Sequence, residues 1–173
     1  MKYYAFIDNN KITGKGNFPT VGMVNCIEIT EEVFNNIEQY IYLDGEIVLN
    51  PNWDNIQLEN AKDIKIATND IERDEALVRG VTYREVLFDS DTDQKVNLLA
   101  TVTTMSDEES IVWFGMDNQP LLCNKQDLIN IGGLITQLHS FCWNRNAEIK
   151  AQIHYATTIE EVEAIEINYD EVI

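Results

Sequence analysis

Three aspartates at alternate positions, Asp89-x-Asp91-x-Asp93, have the spacing with which a loop holds a hard cation. A helix–loop–helix calcium loop also needs Gly at its sixth position and a bidentate Glu at its twelfth. Counted from Asp89, those positions hold Gln94 and Ala100, so both requirements fail. Acids at the positive end of a helix dipole account for the triplet better, with Ser90 or Asp91 as the cap. The two histidines, His139 and His154, lie about 22 Å apart along one unbroken helix and cannot share a metal or a proton relay. Cys26, Cys123 and Cys142 are odd in number and show no C-x-x-C spacing, so neither a disulfide framework nor a zinc site is expected. Each is expected to be a small buried hydrophobe. The chain has no phosphate-binding glycine loop, nucleophile elbow or H-E-x-x-H pair, and no carboxylate pair stands out as a glycosidase dyad. The expectation is therefore a non-enzymatic protein with no catalytic residue, no bound metal and no cofactor.

The remaining candidates are apolar side chains placed where they could serve an interface. Ile64, Ile71 and Val78 recur every seven residues in a polar, helix-patterned stretch, half of a coiled-coil seam that Asp74 weakens. This stretch is either a solvated connector helix or a short oligomeric stalk. Trp113 and Phe114 are neighbours on a predicted strand, so they must point to opposite faces. With Tyr83, Phe141 and Trp143 they form an aromatic-rich section, expected to be mostly core. Ile64, Ile71, Val78, Trp113, Phe114 and Trp143 are the interface candidates.

The elements that must position these residues divide into three parts. Residues 1–53 predict a small α+β lobe. Lys2–Asp8 has strand composition, Asn9-Asn10 is a turn, and Lys11–Thr13 begins the return until Gly14, Gly16 and Pro19 break the pattern. Cys26–Ile29 is a second short strand, and Thr30 caps a helix with Val33, Phe34 and Ile37 on its apolar face. Asp44-Gly45, between Tyr40–Leu43 and Glu46–Leu49, is a strong hairpin signal. Residues 54–79 predict the connector helix. Residues 80–173 predict a mainly helical lobe with one short hairpin. Its first helix is expected to bury Val96, Leu99, Ala100 and Thr103. Ile111–Met116 and Leu121–Cys123 flank the turn Asp117-Asn118-Gln119-Pro120. Asn124 to Asp127 cap a long helix whose stripe is Leu128, Ile131, Ile135, Leu138, Cys142 and Ile149. Gly132-Gly133 within it is the expected close approach of another backbone. Thr158-Ile159-Glu160-Glu161 predicts a capping box for a last short helix. The fold class is α+β.

Charge limits the partners. Thirty acidic against twelve basic side chains give a formal net charge of −18. Binding nucleic acid through its phosphates needs Lys and Arg to displace counterions, so that class is excluded. The acids are spread along the chain rather than blocked together, which favours solubility through self-repulsion over mimicry of DNA or docking to a basic partner. No apolar run reaches the roughly 18 residues that span a bilayer, and MKYYAFIDNN lacks the basic start and apolar core of a signal peptide. No membrane association is expected.

Gly80, Tyr83, the segment Phe88 to Leu98 (FDSDTDQKVNL), Trp113, the DNQP turn, Asp127-Leu128 and the closing ATTIEEVEAI together resemble a domain of unknown function found in the tail proteins of bacteriophages and prophages. The resemblance covers about residues 80–169. The first fifty or so residues, with the IEITEEVF segment and the DG hairpin, are more loosely similar to the front of tail-fibre assembly proteins. The resemblance implies a structural or adaptor module of a phage tail, associated with fibre or baseplate, with other tail proteins as partners. It implies a homo-oligomer, a trimer being favoured, made in the host cytoplasm and carried in the virion tail. The alternatives are a tail-fibre assembly chaperone, an acidic DNA-mimic inhibitor, and a cell-wall or glycan hydrolase with no motif behind it.

Overall fold

The computed structural model describes residues 1–18 and 25–170; Pro19 and the last three residues lie outside it. The chain forms two compact units, Met1–Glu59 and Asn60–Ile173. The division falls inside one long helix, within the stretch expected as a connector. The architecture is α+β, with strands gathered in the first unit and helices in the second.

In the first unit, β1 (Tyr3–Asp8) is the centre of an antiparallel sheet between β2 (Lys11–Gly16) and β3 (Asn25–Ile29). Asn9 and Asn10 take φ of 48° and 58°, which makes a two-residue turn that matches strand twist. Gly14 and Gly16 continue β2 rather than break it. Both face the ring of Phe6, and a Cβ on Gly16 would lie 2.7 Å from Phe6 Cζ, so only glycine lets the ring lie across the strand. Thr30 caps α1 (Glu31–Asn35) by accepting a hydrogen bond from Val33 N. The Phe34 ring packs against Tyr3 in a tilted arrangement, with centroids 4.8 Å apart. One turn of 3-10 helix (Ile37–Gln39) leads into the hairpin β4 (Tyr40–Leu43) and β5 (Glu46–Leu49). Its turn places Asp44 at φ 51° and Gly45 at φ 96°, as the dipeptide predicts.

The second unit is organised on α4 (Lys125–Tyr155). Leu128, Ile131, Ile135, Leu138, Cys142 and Ile149 are all buried, joined by Asn146 and Ile153 at the same spacing. Part of α2 (Trp53–Leu77), α3 (Thr92–Thr104), α5 (Ile159–Ala164) and two hairpins complete it. The hairpin β8 (Ser110–Phe114) and β9 (Pro120–Asn124) is the expected one. The hairpin β6 (Val81–Tyr83) and β7 (Val86–Phe88) is not predicted, because its turn residues, Arg84 at φ 48° and Glu85 at φ 67°, lack the Asn-Gly chemistry that announces such a turn. The Arg84 guanidinium holds that turn by pairing with Asp127 at 2.7 Å.

Two further expectations are corrected, for α3 and for the glycines of α4, and the choice left open between Ser90 and Asp91 is decided. In α3 the buried side chain is Leu98, with Val102 packed behind it, whereas Val96 and Leu99 point outward at 59% and 70% exposure. The helix is rotated because Lys95 and Leu98 meet α4. Ser90 does not cap α3. Asp91 does, by accepting from Gln94 N, while buried Ser90 donates to Leu77 O and accepts from Gly80 N, closing the end of α2. Gly132 and Gly133 meet no other backbone among the described residues, since a Cβ on either would touch nothing within 4 Å. The close approach lies instead at Gly115, where a Cβ would be 2.5 Å from Leu87 O. Among the described residues no helix is long and apolar enough to cross a membrane.

These two environments predict opposite outcomes for the same change. Gly115→Ala is expected to destabilise by roughly 1–3 kcal/mol through overpacking against a carbonyl that cannot move aside. Gly133→Ala is expected to stabilise by roughly 0.5–1 kcal/mol through helix propensity alone. Denaturant unfolding of the two variants measures both signs.

Candidate functional site

The six interface candidates fall into different settings. Ile64 and Ile71 on α2, and Val78 just past its last residue, are 69%, 60% and 54% exposed, and Ala67 and Asp74 of the helix are exposed as well. The opposite side of the helix makes up part of the second unit. Ala76 is buried, Ile66 and Leu77 pack on the core, and Asn69 is fully enclosed. On β8, Trp113 packs against the core while Phe114 points away at 57% exposure, as alternation along a strand requires. Trp143 on α4 is 53% exposed, with the Arg73 guanidinium 4.5 Å above its ring. Tyr83 and Phe141 are core-packed, so of the five aromatics in that section only Phe114 and Trp143 face outward.

Two polar clusters fix how these surfaces are presented; of their bonds only the Asn124–Asp127 cap is apparent in the sequence. The first joins α2 to α4. The Asp70 carboxylate accepts from Arg73 at 2.7 Å, from Asn146 Nδ2 at 3.0 Å and from Lys150 Nζ. The Lys150 hydrogen bond holds the Asp70 carboxyl below its ordinary range, with Asn146 and Arg73 acting in the same direction. One residue earlier, Asn69 donates to the Asn146 carbonyl and accepts from Tyr169 OH at 2.7 Å. Burial pushes the Tyr169 phenol up, so it remains a donor at neutral pH. The outward direction of Ile64, Ile71 and Val78 follows from this anchoring of the inner side.

The second cluster lies at the start of α4. Asn124 accepts from Asp127 N, and the Asp127 carboxylate accepts from Asn124 N at 3.0 Å, a reciprocal capping box. The same carboxylate accepts from Tyr83 OH at 2.9 Å and pairs with Arg84. The Asn124 backbone N–H holds its carboxyl below the ordinary range, and Tyr83 and Arg84 add to the effect against the opposing cost of burial.

Several of the groups considered for chemistry have structural roles. Asp91 is a helix cap. His139 bonds Ser90 O and Lys95, and the His154 ring lies edge-on to Tyr155. Cys123 and Cys142 are buried, which pushes both thiols up and leaves them as hydrophobes. At α5, Thr158 caps the helix by accepting from Glu161 N, and the Glu161 carboxylate reaches back to Thr157 N at 2.7 Å.

Asp127 supplies a stability signature. A carboxyl depressed in the fold contributes stability that is fully present above its unfolded value and is lost as pH falls through the folded one. Asp127→Asn is expected to cost about 1.5–3 kcal/mol at pH 7 through lost charge-assisted hydrogen bonds. The gap from the parent should then narrow as the pH drops below about 4. Urea unfolding at pH 7 and at pH 3 checks both the cost and its narrowing.

A family model described as Domain of unknown function (DUF4376) matches residues 60–167. The match starts at the boundary of the second unit, well before Gly80, and so takes in the inner side of α2. No curated protein and no solved structure matches the chain. The chain belongs to the DUF4376 family.

Proposed function

We propose that this DUF4376 chain is a non-enzymatic structural or adaptor module of a phage tail, associated with fibre or baseplate, that assembles through the outward stripe of α2. The observation that carries the reading is the state of Ile64, Ile71 and Val78: three β-branched side chains seven residues apart, all more than half exposed, the first two on a helix whose other side is packed and hydrogen-bonded and the third in the turn that follows it. Exposed single hydrophobes are ordinary, whereas a heptad row is what a partner helix covers. Phe114 and Trp143 offer further outward apolar area for neighbouring tail proteins. The tail assignment itself rests on the resemblance of the segments from Gly80 to the closing ATTIEEVEAI to phage-tail domains.

In this reading the partners are other copies of the chain, as a homo-oligomer with the trimer favoured, and other tail proteins. The route is from host cytoplasm to virion tail. Asp74 keeps the seam weak enough that assembly depends on concentration. The net charge of −18 keeps separate assemblies apart.

Light scattering coupled to size exclusion tests the stripe. The parent is expected to be an oligomer at micromolar concentration, and Ile71→Asp a folded monomer with association weakened by about a hundredfold or more, because a carboxylate would be buried in the seam. Ile71 is already exposed in the single chain, so the fold should be unaffected. A monomeric parent, or an oligomer unchanged by the substitution, would refute the assembly mode.

A further inference from the structure

Helices α3 and α4 leave an open groove of about 310 Å³ between them. Buried Leu98 and Leu128 form its floor, and Leu99 and Ile129, 70% and 45% exposed, stand along its rim. Gly132 lines it without a side chain, and a Cβ there would meet nothing within 4 Å. The groove is therefore open partly because the helix carries a residue that costs helix stability.

One end of this apolar groove is cationic. Lys95 lines it, with Nζ 3.1 Å from His139 Nδ1. The other ring nitrogen, Nε2, lies 2.7 Å from Ser90 O. A carbonyl can only accept, so Nε2 carries the proton and Nδ1 accepts from the ammonium. That contact uses one of the three Lys95 N–H donors and supplies no negative charge. The nearby Asp91 carboxylate is engaged with Gln94 N. Among the described residues no carboxylate pairs with Lys95, in a chain with thirty acids.

We propose that the α3–α4 groove binds a free carboxylate with a short acyl chain. The carboxylate takes the two remaining N–H groups of Lys95. The chain runs from there towards Val102, roughly 10 Å along α3, over the leucine floor and against the bare backbone of Gly132. The volume is at the small end of the roughly 300–1,000 Å³ of ligand pockets, which suits one short chain better than the several anchors of a docked helix. This site is separate from the α2 stripe and does not depend on assembly through it.

Titration calorimetry of the full chain with octanoate tests the site, with octanol as the uncharged control. Octanoate should bind saturably, and octanol about tenfold or more weaker, the effect of one charge-assisted contact. Lys95→Met should show the same loss for octanoate. Gly132→Leu should abolish binding without lowering the melting temperature, and Gly133→Leu, which lines the neighbouring surface, should leave it intact. If Gly132→Leu does lower the melting temperature, Leu99→Asp at the rim gives the same readout from an outward position. No saturable heat in the millimolar range, octanol equal to octanoate, or binding that survives a filled groove would each overturn the proposal.

Discussion

The second unit depends on one helix being buried along almost its whole length while carrying a polar residue in the middle of its apolar stripe. From Leu128 to Ile153, α4 presents a side chain to the core at every third or fourth position, and Asn146 occupies one of those positions. A buried amide costs stability unless it is paired. Its side chain donates to Asp70, its carbonyl accepts from Asn69, and Asn69 in turn accepts from Tyr169. This chain of bonds fixes the rotation of α2 and positions the C-terminal segment. An all-apolar stripe would be more tolerant of rotation, because hydrophobic contact has no direction.

The same economy operates at the N-terminal end of α4. Asp127 caps the helix and also receives Tyr83 and Arg84 from the β6–β7 turn. Two non-glycine residues at positive φ cost roughly 1–2 kcal/mol each. The turn persists because its first residue is tied to a buried carboxylate. Gly115 then lets β8 approach Leu87 closely, and Met116 N donates to Leu87 O, so the two hairpins are joined where a side chain would keep them apart. Local strain is thus held by contacts distant in sequence.

What remains outward is decided by what these anchors consume. With Asn69, Asp70 and Arg73 turned inward, Ile64, Ile71 and Val78 have no position within the unit. With Leu98 on the core, Val96 and Leu99 are left at the surface. Gly132 and Gly133, poor helix residues with nothing packed against them, are the least explained feature by stability alone and mark α4's open side.

The sequence alone determined the local choices: the α+β class, the Thr30, Asn124 and Thr158 caps, the Asp44-Gly45 turn and the stripe of α4 from Leu128 to Ile149. Those rest on short-range chemistry, in which a cap, a turn or a periodicity is written within a few neighbouring residues. It also singled out Ile64, Ile71 and Val78, all of them exposed, and the opposite directions of Trp113 and Phe114. It did not give the inner partner of α2, the β6–β7 hairpin, the face of α3 or the surroundings of the glycines. Those were decided in the tertiary structure, because each depends on groups far apart in the chain: Asn69 on Asn146, Arg84 on Asp127, Lys95 on His139. A polar side chain in a sequence does not name its partner. A helix with two plausible apolar stripes, as α3 has, cannot be oriented until the surface it packs on is in place.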